Sequence, residues 1–477
     1  MSDSSPVSAE SKFRREKDLL GTAWVPSGAY YGIQTQRACE NFDLSGVSLN
    51  HFPQLVRALA MVKLACARAN RQLGHLEESK EKAIEAAVSL ILDGKFHHQF
   101  VVDMIQGGAG TSTNMNANEV IANLALEQFG RAKGDYSYLH PNNDVNMSQS
   151  TNDAYPTAVR LSILLKHGDL VQALSSLQAA FESKGLEFAS ILKMGRTQLQ
   201  DAVPMTLGQE FQSFATTLGE DIERVAGLAE LLKEINLGGT AIGTGINTEP
   251  EYAALAVDEL SNISGFEFKQ ATDLVEASSD MGAFVLFSSM LKRLAIKLSK
   301  ISNDLRLLSM GPRCGLGEIN LPAQQPGSSI MPGKVNPVIP EAVNQVAYQV
   351  VGNDMAVTMA AEAGQLQLNA MEPLIAYNVL ESIRMLTQAM TMLENRCIRG
   401  ITANVERCQD LVDNSIGIVT ALVPYIGYEN ATRIAKSALE SGQSVLGLIR
   451  QEQLLDEQTL AQLMRPETMI RPRNRHL

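Results

Sequence analysis

From Leu207 the apolar positions run Leu207, Phe211, Phe214, Leu218, Ile222, Val225 and Leu228. A second series, Phe287, Leu291, Leu294, Leu298, Ile301, Leu305 and Leu308, alternates steps of four and three. Such spacing keeps apolar side chains on one face of a helix, and the second series has the period of a heptad seam. Both stretches predict long helices lying side by side at shallow angles in a bundle. Their other faces also carry small or apolar residues, among them Ala215, Val285 and Ile296. A helix that is apolar on more than one side usually has more than one neighbour. The pattern therefore predicts a central bundle that buries itself in other subunits.

Gly-rich stretches interrupt the helical pattern at Gly107–Gly110, Gly238–Gly245 and Gly311–Gly333. No repeat, low-complexity tract or flexible linker is evident. Domain edges are expected near residue 150, before a Ser/Thr/Asn/Asp cluster, and near residue 406, where long helices give way to shorter elements. The expected division is a mixed, mostly helical N-terminal domain (1–150), a central long-helix bundle (151–406) and a small helical C-terminal domain (407–477).

Composition agrees with this mainly α reading. A length of 477 residues suggests about three domains of ordinary size. With 45% apolar and 19% charged residues, a packed core is easily built. Aromatic residues are only 5%, which favours helices over strands. The net charge of -12 repels phosphate backbones, so nucleic acid is a poor partner. It leaves substrate charge open, because a few local cations and N–H donors can still hold a dicarboxylate. The five cysteines (Cys39, Cys66, Cys314, Cys397 and Cys408) form no C-x-x-C pair and are odd in number, as in a reduced intracellular protein. Cys314 reads as a small packing residue. Residues 1–20 are polar and charged, unlike a signal peptide, and no run of about 18 apolar residues could span a membrane. The expected location is the cytoplasm. A basic tail, Arg471 to His476, ends the sequence.

Three polar stretches stand out. They are Gly107-Gly108-Ala109-Gly110-Thr111-Ser112-Thr113-Asn114-Met115-Asn116, Ser148-Gln149-Ser150-Thr151-Asn152-Asp153, and Gly327-Ser328-Ser329-Ile330-Met331-Pro332-Gly333-Lys334-Val335-Asn336-Pro337. Each has a bland reading as a helix start: Thr111 to Asn116 and Ser150 to Asp153 as caps, and Asn336-Pro337 as an N-cap followed by a first helical residue. Together they offer hydroxyls, amides, free N–H groups and one lysine, an inventory suited to carboxylates. The third reads as a mobile flap whose backbone donors could cradle an oxyanion. No Walker-type loop, His-rich metal spacing or G-x-S-x-G elbow is present.

The Gly-Ser-Ser-Ile-Met-Pro-Gly-Lys-Val-Asn-Pro run resembles the signature of the aspartase/fumarase superfamily, whose members cleave C–N or C–O bonds and release fumarate. The resemblance extends from Glu16-Lys17-Asp18 to about Arg465-Pro466-Glu467. It implies a three-domain, mostly helical subunit and a homotetramer with a core of twenty helices. Each active site would then draw on three subunits, which would explain why the polar stretches lie so far apart. Ser328 is implied as the general base. The resemblance gives the α-carboxylate to Lys334, Asn336 and Thr197, and the ammonium group to Asn152 with Thr111, Ser150 and Gln198 nearby. It gives the β-carboxylate to Thr111, Ser150, Thr151 and Ser329. Glu341 matches an acid that pairs with the fumarase histidine, which suggests a hydrogen bond to Gln198; it also reads as a first-turn helix residue. Arg37 and His140 fall in family segments, His140 in a secondary carboxylate site where no catalytic role is expected.

Within the superfamily, Gly195-Arg196-Thr197-Gln198-Leu199-Gln200-Asp201-Ala202 discriminates. Class II fumarases carry histidine in place of Gln198, whereas aspartases occur with either residue. Hydroxide is a poor leaving group and benefits from an acid, but an α-ammonium group already carries its proton. Glutamine can orient such a group without donating a proton to it. The bland alternative is a polar packing residue. Lys17-Asp18-Leu19-Leu20-Gly21 and Gln365 to Pro373 also resemble aspartases, and Met371-Glu372-Pro373 stands where fumarases tend to have Phe-Lys-Pro. Cys314-Gly315 is closer to the fumarase pattern. The implied reaction is reversible elimination of ammonia from L-aspartate to give fumarate, with fumarate hydration as the alternative. No organic cofactor is expected, since the Ala-Ser-Gly triad of aromatic amino-acid lyases is absent. No catalytic metal is expected either, although some aspartases respond to a divalent ion such as Mg2+. A non-catalytic scaffold, as in some lens crystallins, would predict an eroded site, yet all the implied site residues are present.

Overall fold

A computed structural model describes residues 12–470 of the chain. The basic tail, Arg471 to His476, lies outside the described residues. Contacts group the described residues into two compact units, one of residues 12–170, 225–292 and 349–384, the other of residues 171–224, 293–348 and 385–470.

The first unit opens on an antiparallel hairpin, β1 (Phe13–Asp18) and β2 (Gly21–Pro26). Helices α1 (Ile33–Asn41), α2 (Pro53–Gln72), α3 (Glu78–Leu92) and α4 (Thr111–Gln128) follow. Helix α2 packs on α3 and α4 and buries nearly its whole length, which its Leu-, Ala- and Val-rich sequence permits. A single π-helical turn, Pro141–Val145, leads toward α5 (Thr151–Glu187), a helix of 37 residues.

In the second unit, β3 (Leu192–Thr197) and β4 (Gln200–Thr206) form a hairpin that leads into α6 (Leu207–Gly227). Back in the first unit, the short parallel pair β5 (Glu234–Ile235) and β6 (Lys269–Gln270) brackets α7 (Tyr252–Ser264), which packs on α2. A single turn, α8 (Leu274–Ala277), precedes α9 (Gly282–Leu308). Helices α10 (Val338–Glu362) and α11 (Glu372–Arg396) complete the long set, and the boundaries between the units fall inside α5, α6, α9, α10 and α11. The bridge β7 (Ile319–Asn320) to β8 (Thr402–Ala403) precedes the short helices α12 (Val405–Asp413), α13 (Val419–Ile426), α14 (Tyr428–Ser441), α15 (Val445–Gln451), α16 (Glu457–Leu463) and α17 (Pro466–Met469). These pack about Val412, Ile418, Leu422, Ile434 and Ile449, with Leu192 and Met194 of β3 in the same core.

Both predicted helical stripes form. Phe287, Leu291, Leu294, Leu298, Ile301, Leu305 and Leu308 are all buried on α9. In the second unit α5 and α6 meet through Phe181 and Phe214, 5.7 Å apart and edge to face. Polar groups fix the register of the long helices. Asp221 of α6 is fully buried and takes Arg293 and Lys297 of α9, both at 2.9 Å. In the first unit Asn353 of α10 donates to Ser382 of α11 at 3.0 Å.

Candidate active site

The predicted site residues fall on both units. Thr111, Ser150, Thr151 and Asn152 belong to the first; Thr197, Gln198, Ser328, Ser329, Lys334, Asn336 and Glu341 belong to the second.

In the first unit, α4 begins at Thr111 directly after Gly110, whose φ of 90° is left-handed. A Cβ on Gly110 would lie 2.6 Å from the Tyr155 ring. Only glycine permits both the turn and this approach of the α4 N-terminus to α5. The Thr111 hydroxyl is exposed and donates to the Gly108 carbonyl. At the start of α5, the Asn152 N–H donates to Ser150 Oγ and the Ser150 N–H to Asp153 Oδ1. This reciprocal pair is a capping box, so the segment caps α5 as the bland reading expects. Pro156 lies inside α5 and has no N–H to give the Asn152 carbonyl four residues back. Asn236 Nδ2 supplies the missing donor at 3.0 Å, while Asn152 Nδ2 donates to the Ala241 carbonyl. Asp153 Oδ2 also accepts from the N–H groups of Gly238 and Thr240. The Gly238–Gly245 stretch is thereby docked on the first turn of α5.

Asp153 is fully buried, and burial pushes its carboxyl up to about 6 despite the N–H donors that favour the anion. The folded state therefore holds this proton to a higher pH than the unfolded chain, and stability from this group declines as pH rises from about 4 to about 6. Asp153→Asn should lose about 1–3 kcal/mol at neutral pH, because an amide nitrogen cannot accept from the backbone donors. The gap between wild type and variant should widen as pH falls from 6 to 4. Urea titrations across that range check both.

In the second unit, Thr197 and Gln198 occupy the tip of the β3–β4 hairpin. Thr197 pairs with Gln200, which leaves Gln198 and Leu199 as a two-residue turn with φ of 54° and 61°. Left-handed turns of this length usually take Asn-Gly, and holding larger side chains there stores strain. Both residues are exposed. The root of the hairpin is held by buried charge. Glu318, 0% exposed, takes Arg196 at 2.8 Å and Lys193 at 3.0 Å, and Lys193 also meets Glu210 at 2.5 Å.

The flap is a closed loop. The Gly327 N–H donates to the Lys334 carbonyl at 2.7 Å, and Asn336 Nδ2 donates to the Gly327 carbonyl at 2.8 Å. A Cβ on Gly327 would lie 2.6 Å from the Lys334 carbonyl oxygen, so the neck needs glycine there. Within the loop, Ser328 Oγ accepts the N–H groups of Ile330 at 3.1 Å and Met331 at 3.0 Å. Two N–H dipoles aimed at one hydroxyl oxygen are what an alkoxide requires. Ser329 and Lys334 are exposed beside it.

Three expectations change. Asn336 does not cap α10, which begins at Val338; its amide closes the flap instead. Glu341 lies in the first turn of α10, and among the described residues no hydrogen bond joins it to Gln198. Cys314, read as a packing residue, is exposed in this chain. Arg37 makes a two-pronged ion pair with Asp18, and His140 Nδ1 accepts the N–H groups of Asn142 and Asn143 in the π-helical turn.

Several supporting groups escaped the sequence reading: Lys63, Asn146 and Glu318. Lys63 alone had a visible signal, as a lysine inside the apolar run Leu59-Ala60-Met61-Val62-Lys63-Leu64-Ala65.

Residues 21–352 match a family model described as lyase, and residues 418–471 match one described as the fumarase C C-terminus. The chain is 70% identical over 470 residues to the aspartate ammonia-lyase of Pseudomonas aeruginosa, with 98% of each chain covered. This chain belongs to the aspartase/fumarase family of lyases. A second family member, the aspartate ammonia-lyase of Escherichia coli, is 54% identical over 460 residues and 96% of each chain. Among solved structures, a fumarate lyase:delta crystallin from Brucella melitensis, bound to cobalt, superposes with a TM-score of 0.93. It is 63% identical, with 96% of this chain and 100% of that one covered. A class II fumarase from Schistosoma mansoni superposes with a TM-score of 0.90 at only 34% identity, with 97% and 100% coverage. The aspartase and fumarase branches thus share one fold, and sequence identity places this chain nearer the ammonia-lyases. Its identity of 54–70% to aspartate ammonia-lyases over nearly the full length makes it a carbon–nitrogen lyase. Among the described residues no helix is long and apolar enough to cross a membrane.

Proposed function

We propose that this chain is an aspartate ammonia-lyase, reversibly eliminating ammonia from L-aspartate to give fumarate, with Ser328 as the base. The observation that carries the mechanism is the pair of N–H groups converging on Ser328 Oγ. They supply the stabilisation that a serine alkoxide needs. The alkoxide takes a β-proton, and the C–H electron pair passes into the neighbouring carboxylate as an aci-carboxylate. Thr111, Ser150, Thr151 and Ser329 donate to that charge as it grows. The electron pair then returns to form the C=C bond, the C–N bond breaks, and ammonia leaves with the bonding electrons. Lys334, Asn336 and Thr197 hold the α-carboxylate. Asn152 and Gln198 orient the ammonium group, which needs no added proton to depart. The reading uses no organic cofactor and no catalytic metal. Glu341 serves at most the dipole of α10.

The proposed assembly is a cytoplasmic homotetramer whose sites combine three subunits. Its support is an exposed apolar stripe on α10, with Tyr348 62%, Met355 61% and Met359 66% exposed, together with Ile296 of α9 at 55%. Subunit mixing tests the shared site. Ser328→Ala and Asn152→Ala, each inactive alone, are denatured together and refolded. Mixed tetramers should regain activity that neither parent shows, whereas no recovery would mean that both residues serve one site within one chain.

A further inference from the structure

Lys63 sits on α2 with no exposed surface. Its ammonium group donates to three amide oxygens: Asn114 Oδ1 at 2.5 Å, Asn146 Oδ1 at 2.9 Å and Gln149 Oε1 at 2.7 Å. All its donors are used, and no carboxylate touches it among the described residues. Asn146 is the hub, because its Oδ1 also accepts from Asn114 and Asn118 while its Nδ2 donates to the Gln149 carbonyl. Asn114 reaches on to Thr151 Oγ1 at 3.2 Å. Gln149 immediately precedes Ser150, Thr151 and Asn152. A buried cation thus underlies the segment assigned to the β-carboxylate and the ammonium group.

We propose that Lys63 is a positioning residue for substrate: through Asn114, Asn146 and Gln149 it fixes the Ser150–Asn152 segment, and its positive charge, held by amide oxygens rather than by a contacting carboxylate, favours a carboxylate bound there. The proposal rests on assigning that segment to the substrate. Buried amides satisfy one another poorly without a central donor, and Lys63 supplies one with a formal charge. The titratable groups around it are Cys66 on its own helix, Asp153 on α5 and Tyr252 on α7, whose hydroxyl lies against Cys66. Burial lowers the Lys63 ammonium to about 8. Carboxylate binding should therefore weaken as pH rises through that range.

The test uses the full-length assembled enzyme and two variants. Lys63→Met removes the charge and the donors. Gln149→Glu keeps the lysine but sets a carboxylate against it. Both should raise KM for L-aspartate and the inhibition constant of fumarate by about tenfold or more, while kcat changes less. In Lys63→Met the weakening of fumarate inhibition near pH 8 should vanish. A purely structural role predicts lost protein or lost kcat with KM unchanged. A folded, assembled Lys63→Met with wild-type KM overturns the proposal. If Lys63→Met does not fold, Gln149→Glu decides, and a wild-type KM there is equally fatal. Should the wild-type enzyme turn over L-malate and not L-aspartate, the aspartase reading fails, while the KM ratio measured with L-malate still tests Lys63.

Discussion

Ser328→Ala is expected to fold and assemble as wild type and to lose turnover by about 100- to 10,000-fold, the usual contribution of a positioned base. The fold should be indifferent because Ser328 Oγ only accepts two loop N–H groups, Ile330 and Met331, at a half-buried position. Those donors can turn to water, so the stability cost should stay near or below about 1 kcal/mol. The flap neck uses backbone groups and Asn336, which the substitution leaves in place. Melting temperature and steady-state kcat separate the two effects. An unchanged kcat would remove Ser328 from the chemistry and leave the converging N–H groups as an ordinary turn.

Glu318→Ala should produce the opposite signature, a large loss of stability. Its carboxylate is fully buried between Arg196 and Lys193, at 2.8 and 3.0 Å. Removing it leaves two cations whose remaining carboxylate partners among the described residues are Glu210 for Lys193 and the distant Asp201, at 4.0 Å, for Arg196. Breaking a buried pair from one side costs about 3–5 kcal/mol. Arg196 directly precedes Thr197 and Gln198, so the hairpin tip should loosen as well, and KM should rise in whatever protein still folds. Urea unfolding measures the first effect. A loss below about 1 kcal/mol would show that the cluster is open to water and does not anchor the hairpin.

Much of the scaffold was legible because helix period and burial coincide. The stripe from Phe287 to Leu308 is buried at every position, and the stripe from Leu207 to Leu228 is buried except for half-exposed Ile222. The Ser150–Asp153 cap was legible because a capping box has a fixed spacing. The hairpins were not. β3–β4 turns on Gln198-Leu199, where no Gly, Asn or Asp marks a left-handed turn, and tertiary anchoring by Glu318 overrides that local preference. Asn336 looked like a helix cap because Asn-Pro is a common helix start, but the flap competes for the same amide and wins it. The buried amides around Lys63 come from α2, α4 and the segment before α5. No single stretch of sequence shows that three oxygens converge on one ammonium group. The residues assigned to the substrate were recognisable from the flap signature rather than from physical pattern. Of the groups that support them, Glu318 and Lys63 follow from packing.

Release of ammonia rather than water is the reaction expected of this family member. It is tested most directly by following fumarate absorbance with the purified protein, L-aspartate in one cuvette and L-malate in another. Fumarate from L-aspartate alone is the predicted result, with Gln198 as the group that orients a leaving ammonium. Fumarate from L-malate alone would contradict it and make the chain a hydratase that works without the histidine its fumarase relatives use.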